Sequence, residues 1–384
     1  MNPKDILTNP YFCPMPWSGI MYNHDGAVKN CIRSSEKLGD IKQSSIQEIV
    51  LGLENTDRQN KIVNKQPVES CKVCYELEHT KSFDIISDRV FYIKELKPAR
   101  NLDLYAENKF DLHTVDVRWT NLCNFACVYC APEFSSKWAS ELGEYVEQPN
   151  LEAKQQFKDY IFDNAPQLRH VYLAGGEPLL MKENLELLDR LSPDVNLRIN
   201  TNLSCVDTNV FERVCEFKNV HWTVSLETIE EEYEYIRYGG KWTEFQTNLK
   251  TITDLGHKVT FNMLYFLLNH KSLFECVDYL TSLGYHPNSF VIGALLRPDY
   301  LNIRHLPQEQ LQSIKHELET RIAKHPGFLL ENSYSNLLRY IQQPFEANLQ
   351  NSFQRLAELD ARRGLDSSTI FKQLYTLKET HYGN

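Results

Sequence analysis

The chain has 384 residues, ten cysteines and a formal net charge of −10. Its length is enough for one large core with one or two small appendages. The acidic balance, without a long basic run, excludes a general nucleic-acid-binding surface. No charged-then-apolar leader opens the chain and no apolar stretch approaches a membrane span, so we expect a cytoplasmic protein without membrane attachment. Ten cysteines in such a chain indicate metal or redox chemistry rather than disulfides.

The first hundred residues contain four of these cysteines: Cys13, Cys31, Cys71 and Cys74. Between the first two, residues 17–31 predict two short strands around an Asp25-Gly26 turn, because glycine tolerates the positive φ of a tight hairpin. The hairpin would let distant cysteines converge, and the CxxC pair adds two more thiolates. Four sulfurs close a site completely, for zinc or for a [4Fe-4S] cluster. Spacing alone leaves both metals open.

From about Thr114 the chain alternates short apolar strands with longer amphipathic helical segments. The predicted strands are 114–119, 169–173, 195–200, 219–226, 259–266 and 290–295. The predicted helices between them are 151–164, 182–191, 207–217, 241–255 and 273–283. Such alternation predicts an α/β fold with a parallel sheet and right-handed crossovers. Six units fit a partial (β/α)6 TIM-like barrel better than a full barrel of eight strands.

Three cysteines follow the first of these strands with the spacing CxxxCxxC: Cys123, Cys127 and Cys130. Three thiolates are one fewer than a closed tetrahedral site needs, so a cubane cluster held by them would keep one iron open to a ligand. A zinc ribbon would instead pair two CxxC knuckles in one small module. Here the triplet leaves an apolar strand and is interleaved with apolar residues, which favours an iron–sulfur site.

Polar groups also follow later strands, and in such sheets ligand sites collect at the carboxyl ends of strands. The second strand leads into Gly175-Gly176-Glu177-Pro178, where the glycines permit close backbone approach and Glu177 can accept hydrogen bonds from an ammonium group. The third strand leads to Asn202. The fourth offers Ser225 and Glu227, and Arg237 comes ten residues after Glu227.

These motifs together resemble the radical S-adenosylmethionine (SAM) superfamily. Tyr129 stands where its CxxxCφC signature has an aromatic residue, and residues 175–178 resemble its GGEP motif. The resemblance implies that the triplet holds a [4Fe-4S] cluster whose fourth iron chelates the amino and carboxylate groups of SAM. A reduced cluster then cleaves SAM to methionine and a 5′-deoxyadenosyl radical, which removes a hydrogen atom from substrate.

The same resemblance implies further SAM contacts. The GGEP motif would hold the SAM amino group. Asn202 is placed in the site by its position near a strand end rather than by the resemblance, and capping of a turn is the alternative role for its side chain. Ser225 and Glu227 stand where the family contacts the ribose, with glutamate where aspartate is common. Arg237 resembles the arginine of the family's I-R-x-G segment, which reaches the SAM carboxylate. We also predict that Arg118 and Arg297 meet a carboxylate or phosphate of the substrate, although each could equally be a structural ion-pair partner.

The N-terminal cysteines resemble the twitch domain, the half-size relative of the SPASM domain, and its position ahead of the barrel is similar to N-terminal twitch radical SAM proteins. This implies an auxiliary [4Fe-4S] cluster, and hence two clusters and SAM as cofactors. The predicted domains are an N-terminal twitch domain (1–105), a radical SAM barrel (106–300) and a C-terminal helical extension (301–384) of three or four helices.

A cluster with four cysteine ligands suits an electron acceptor, so a dehydrogenation or a radical-forged bond is favoured. The predicted electron donor is a flavodoxin or ferredoxin, and the substrate is an unidentified small molecule, nucleoside or peptide. One alternative is a redox-neutral isomerase, acting for example on a modified nucleoside or phage DNA base. Another is a zinc-stabilised binding protein without catalytic activity. The remaining cysteines, Cys205, Cys215 and Cys276, share no ligand spacing and are predicted to be ordinary buried thiols.

Overall fold

The structure is a computed structural model that describes residues 8–79, 87–97, 105 and 109–382. Residue 106, at which the barrel is predicted to begin, lies outside the described residues. The chain forms two compact units. The first comprises Met1–Cys123, Pro132–Thr201 and Cys205–Trp222, and the second comprises Asn124–Ala131, Asn202–Ser204 and Thr223–Asn384.

The first unit is built from short strands and mostly short helices. Its strands are β1 (Gly19–Tyr22), β2 (Ala27–Lys29), β3 (Gly39–Asp40), β4 (Thr114–Val117), β5 (His170–Leu173) and β6 (Asn196–Thr201), followed by β7 (Asn219–Ser225), which ends in the second unit. Its helices are α1 (Met15–Ser18), α2 (Ile46–Val50), α3 (Leu53–Val63), α4 (Lys72–His79), α5 (Asp88–Leu96), α6 (Ser136–Leu142), α7 (Leu151–Asn164), α8 (Lys182–Leu188) and α9 (Asn209–Cys215).

The strands β1 to β6 form one sheet with the order β3-β2-β1-β4-β5-β6. The predicted hairpin is confirmed, since β1 and β2 are antiparallel and Gly26 adopts a φ of +99° in the turn between them. One pairing was not predicted: β1 lies parallel to β4, with Gly19 opposite Thr114 and Tyr22 opposite Val117. The N-terminal hairpin is therefore part of the same sheet as the strand that leads to the CxxxCxxC loop.

The two faces of β4–β6 differ in polarity. One face is apolar: Val115, Val117, Val171, Leu173, Leu197 and Ile199 are each at most 1% exposed. On this side Tyr22 of β1 stacks on Phe157 of α7, with ring centroids 4.1 Å apart. The other face carries one polar row, because the register places Asp116 opposite Tyr172 and Tyr172 opposite Arg198. Parallel strands are usually apolar on both faces, so this row marks the face that does not pack in the apolar core.

The second unit contains two complete strands, β8 (Lys258–Tyr265) and β9 (Phe290–Ala294), which pair in parallel. Its helices are α10 (Glu230–Ile236), α11 (Trp242–Asp254), α12 (Ser272–Ser282), α13 (Gln308–Lys324), α14 (Leu329–Ile341), α15 (Leu349–Arg363), α16 (Ser367–Ile370) and α17 (Lys372–Tyr382). The C-terminal extension thus has five helices in its described part, where three or four were predicted. The difference arises at α16, a single turn whose first N–H groups are capped by Asp366.

The six predicted barrel strands all form, within one or two residues of the predicted bounds. The parallel pairing of β4–β6 and of β8 with β9, with helices between successive strands, confirms the α/β class. Helix α7 spans 151–164 as predicted, because Asn150 caps it by accepting a hydrogen bond from the N–H of Ala153 at 2.8 Å. Within the described residues, no helix combines the length and apolar character needed to span a bilayer.

Candidate functional site

The CxxxCxxC triplet lies on the loop between β4 and α6. At the start of this loop the N–H of Cys123 donates to Ser136 Oγ at 3.1 Å, and that hydroxyl donates back to the Cys123 carbonyl at 3.2 Å. Further on, the N–H of Cys130 donates to the Cys127 carbonyl at 2.9 Å, which forms a tight turn. Cys127 is buried, and burial raises the pKa of its thiol, while the charge of Arg237 lowers it.

The GGEP segment packs directly against the residue that precedes Cys123. The N–H of Glu177 donates to the Leu122 carbonyl at 2.7 Å. A Cβ on Gly176 would lie 2.1 Å from that same oxygen, so only glycine fits there, and Gly175 has a φ of +114°. The two motifs that the sequence separates by about fifty residues therefore meet through their backbones, and each side of this contact lies in the first unit.

Glu177 itself is fully buried. Its Oε1 accepts hydrogen bonds from Thr201 Oγ1 at 2.8 Å and from the N–H of Leu179 at 3.2 Å. Pro178 opens the short 3-10 turn that follows. The carboxylate is thus held at the carboxyl ends of β5 and β6, where an ammonium group could bind to it.

Within the second unit, Arg237, Glu227 and Tyr129 form a buried polar group. Arg237 donates from Nε to Glu227 Oε2 and from Nη2 to Oε1, both at 2.7 Å, and Tyr129 Oη donates to Oε1 at 3.0 Å. The two charged side chains are only 3% and 2% exposed. Burial raises the pKa of the Glu227 carboxyl, while Arg237 and the hydrogen bonds lower it. Arg237 Nη1 also lies 4.0 Å from Cys127 Sγ.

Two more residues of the predicted SAM site stand in the second unit. Asn202 is buried, its amide donates to Asn124 Oδ1 at 3.1 Å, and its oxygen accepts from Ser204 Oγ at 2.6 Å. It therefore orients the residue that immediately follows Cys123 in the chain. Ser225 is partly buried at the last position of β7.

The two arginines predicted to meet substrate differ in their surroundings. Arg118 follows β4 and forms an ion pair with Asp116, with Nη2 3.2 Å from Oδ2. Burial raises the pKa of Asp116, and Arg118 lowers it. Arg297 follows β9 and is exposed. Asp116 was not among the predicted site residues, yet it offered a signal: it is an acid in the middle of the apolar strand Thr114–Val117.

The four N-terminal cysteines line one cavity in the first unit. The empty space within it and at its mouth is about 320 Å³, and it is also bordered by Met15, Arg33, Ser34, Asp88, Arg89 and Tyr92. Within the described part of the chain, no three His, Cys, Asp or Glu side chains are placed to hold a single metal ion. The four cysteines border the cavity, and four thiols are the donor set of a cubane cluster.

Burial changes the pKa of all four of these thiols, and the charges of neighbouring cysteines change that of Cys13, Cys31 and Cys71. Burial raises the pKa of all four, that of Cys31 to about 12, and neighbouring cysteines raise the pKa of Cys13 further. None of the ten cysteines forms a disulfide. Outside both sets, Cys205 and Cys276 are buried and Cys215 is partly buried.

Two family models match the chain. Residues 117–280 match the radical SAM superfamily, and residues 13–75 match SPASM, an iron–sulfur cluster-binding domain. The first range contains the cysteine triplet, the GGEP segment and the Glu227–Arg237 pair. The second contains all four cysteines of the N-terminal cavity.

Curated relatives match shorter stretches. The chain is 32% identical over 99 residues to GTP 3′,8-cyclase of Nautilia profundicola, covering 25% of this chain and 29% of that protein. It is 35% identical over 101 residues to 7-carboxy-7-deazaguanine synthase of Clostridium acetobutylicum, covering 25% and 39%. The matched part thus spans less than half the length of these relatives.

Solved structures also match parts of the chain. SuiB of Streptococcus suis bound to precursor peptide SuiA has 16% identity and a TM-score of 0.41, covering 74% of this chain and 69% of that one. Native anSMEcpe with bound AdoMet has 13% identity and a TM-score of 0.41, covering 55% and 60%.

The two family matches confirm the resemblance drawn from the motifs, and with the parallel α/β sheet they confirm the predicted fold class. Both domains are of kinds that bind iron–sulfur clusters, and the radical SAM domain adds SAM as a cofactor. The number of clusters and the roles of the individual residues stay predictions. Residues 117–280 thus match a radical SAM domain, and residues 13–75, ahead of it, match a SPASM-type iron–sulfur cluster-binding domain.

Proposed function

We propose that this enzyme oxidises its substrate, by dehydrogenation or by forming a new bond, and that a second cluster in the N-terminal cavity takes up the departing electron. The observation that supports this most is the cavity itself, which is lined by Cys13, Cys31, Cys71 and Cys74. Four thiolates complete the coordination of a cubane, so such a cluster would have no open iron for substrate and would serve in electron transfer.

The first cluster is proposed to be held by Cys123, Cys127 and Cys130. SAM bound to it supplies a 5′-deoxyadenosyl radical when an electron from a flavodoxin or ferredoxin cleaves it. Glu177 and the backbone of Gly175 and Gly176 would hold the SAM ammonium group. The remaining contacts would come from a set of polar residues: Asn202, Ser225, Glu227 and Arg237, with Tyr129 and Pro178 shaping the site.

Electron balance explains why an acceptor is needed. Removing a hydrogen atom leaves a substrate radical, and completing a two-electron oxidation requires the loss of one more electron and one proton. The proton would go to solvent or to a base. A cluster held by the four N-terminal cysteines would supply the one-electron acceptor, and an external carrier would reoxidise it. One face of the sheet carries a polar row of Asp116, Tyr172 and Arg198, near Arg118, and this row supports the proposal that the face is directed at the substrate. Arg297 is also proposed to contact the substrate.

We also propose the division into domains 1–105, 106–300 and 301–384 and a cytoplasmic location, since clustered reduced thiols require a reducing compartment. The substrate is a small molecule, nucleoside or peptide. The short matches to enzymes named for GTP and for 7-deazaguanine are compatible with a nucleoside.

The test is anaerobic reconstitution followed by incubation with SAM and a strong reductant. Two cubanes predict about eight irons per chain with equal sulfide, and 5′-deoxyadenosine should form. Cys127→Ser should abolish 5′-deoxyadenosine and retain about four irons, whereas Cys71→Ser should retain SAM cleavage. Cys215→Ser, outside both sets, is the matched control and should behave as the wild type.

Three results would contradict the proposal in different ways. Two zincs and no iron would indicate a binding protein. Reconstituted iron without 5′-deoxyadenosine would exclude radical SAM catalysis. Once a substrate is found, its conversion without net loss of electrons would indicate an isomerase.

A further inference from the structure

The cavity of the four N-terminal cysteines is bordered by charged groups that the proposed ligand set does not use. Arg33 and Arg89 both line it. Arg33 Nε lies 2.6 Å from Asp88 Oδ2, which also borders the cavity. Arg89 Nε lies 2.9 Å from Glu78 Oε1, its Nη2 contacts the other oxygen of Glu78, and its Nη1 donates to the Phe12 carbonyl at 2.8 Å. Arg89 is thus held by three contacts and Arg33 by one, and both residues border the cavity of the four cysteines.

Backbone N–H groups are also directed at the sulfurs. The N–H of Met15 is hydrogen-bonded to the Cys13 sulfur, and the N–H of Arg89 to the Cys74 sulfur. The N–H groups of Arg33 and Ser34 are hydrogen-bonded to the Cys31 sulfur. Arg33 and Arg89 therefore each place two favourable groups near the sulfurs: a backbone N–H and a positively charged side chain.

Helix α5 adds a third contribution. Ser87 caps its N-terminus by accepting a hydrogen bond from the N–H of Val90. Three residues of its first turns, Asp88, Arg89 and Tyr92, border the cavity. The positive end of the nine-residue helix is therefore at the cavity wall, where it favours negative charge.

A cubane with four thiolate ligands becomes more negative by one charge when it is reduced. Nearby cations and N–H donors stabilise that added charge, and such groups are among the factors that set cluster potentials. We propose that Arg89 and Arg33 act as positioning residues that hold the reduction potential of the N-terminal cluster high enough for it to accept an electron from the substrate radical. This inference rests on the proposed function.

The two carboxylates paired with the arginines should increase the change in reduction potential when an arginine is removed. Asp88 and Glu78 would oppose reduction if their charges were not balanced. Removing Arg89 leaves Glu78 uncompensated, and removing Arg33 does the same to Asp88. Both changes should therefore lower the potential. The redox step stays balanced: the substrate radical loses one electron to the oxidised cluster and one proton to solvent, and a flavodoxin or ferredoxin then removes the electron from the cluster.

The experiment is a potentiometric titration of the anaerobic holoenzyme, followed by electron paramagnetic resonance. Added SAM changes the signal of the cluster with an open iron, so the signal that does not respond to SAM reports the N-terminal cluster. The variants are Arg89→Gln and Arg33→Gln. Arg89→Lys keeps the charge, and Arg355→Gln, on an exposed part of α15, is the control.

We expect each glutamine variant to reduce the ratio of reduced to oxidised cluster at fixed potential about tenfold, which is about 59 mV for a one-electron couple. Arg89→Lys should recover most of the shift, and Arg355→Gln should show none. The Arg33 side chain is 51% exposed and that of Arg89 only 11%, so Arg33→Gln keeps the test decisive if Arg89→Gln fails to assemble its cluster.

The outcomes separate the two proposals. About eight irons per chain with unchanged potentials in every glutamine variant that assembles its clusters would overturn this inference and leave the proposed function standing. About four irons in the wild type, with no signal that ignores SAM, would overturn the proposed acceptor cluster and the inference with it.

Discussion

Arg237 and Glu227 form a bidentate ion pair that is almost completely shielded from solvent. The two buried charges balance each other. The carboxylate accepts hydrogen bonds from two guanidinium N–H groups and one from the Tyr129 hydroxyl. Any contact that Arg237 makes to SAM would use its other N–H groups, which are the two of Nη1, near Cys127, and the second one of Nη2. The predicted SAM roles of these two residues are therefore coupled through one shared structure.

Glu227→Gln should accordingly destabilise the protein. Loss of the carboxylate charge leaves a buried guanidinium uncompensated, a change that typically costs about 3–5 kcal/mol. Chemical denaturation of the anaerobic protein measures the free energy of unfolding. The control is Asp278→Asn, because the Arg321–Asp278 pair is also bidentate, through Nη1 and Nη2, but its carboxylate is 63% exposed. Its loss should cost at most about 1 kcal/mol. Equal effects of the two substitutions would contradict this interpretation.

At the scale of elements, the contact between the GGEP segment and the residue before Cys123 restricts the sequence strongly, because the two backbones lie too close for a side chain. Gly176 tolerates no side chain, since an added Cβ would overlap the Leu122 carbonyl oxygen. The clash is with backbone, which cannot move aside without shifting the start of the cysteine loop. The strand β5 and the loop after β4 are thus fixed to each other at a single glycine.

Gly176→Ala should therefore disturb the site of the first cluster. We expect iron to fall from about eight to about four per chain, with loss of 5′-deoxyadenosine, because the N-terminal cavity is not touched. Gly293→Ala on β9 is the matched control, since nothing lies within 4 Å of its added Cβ. Full iron content and normal SAM cleavage in Gly176→Ala would show that the loop adapts to the clash.

Sequence patterns identified these elements where the cause is local. Helix α7 was predicted over its full length because its N-terminal cap and its amphipathic spacing both depend on residues that are close in sequence. The cysteine sets and the GGEP segment were predicted from spacing, and the structure brings the four N-terminal cysteines to one cavity. The parallel pairing of β1 with β4 was missed because it joins four-residue strands about ninety positions apart. The Arg237–Glu227 pairing was missed because it depends on burial, which spacing does not reveal.

At the scale of the whole molecule, the N-terminal cavity is assembled from distant parts of the chain. Cys13 precedes α1, Cys31 follows the β1–β2 hairpin, and the CxxC pair lies at the start of α4. A cluster bound there would tie these segments together. Without it, four thiols remain whose pKa burial raises.

Removing iron should therefore loosen the N-terminal segment. We expect chelation to increase limited proteolysis within residues 13–75 by at least about tenfold, because metal binding energy at such a site contributes to folding. Cleavage within the C-terminal helices α13–α15 serves as the internal control and should change little. Identical cleavage of the loaded and chelated protein in the N-terminal segment would show that this region folds without its cluster.

The parallel pairing of β1 with β4 has a consequence for truncation. Deleting the first 105 residues would remove β1, the strand that pairs with one edge of β4. The N–H and C=O groups of that edge would then be unpaired and could bind a strand of another molecule. A shortened enzyme that keeps every residue of the radical SAM match would thus be prone to aggregate. The two iron–sulfur domains share the hydrogen bonds between β1 and β4. We therefore expect that neither domain can be replaced by one from another protein unless this strand pairing is redesigned.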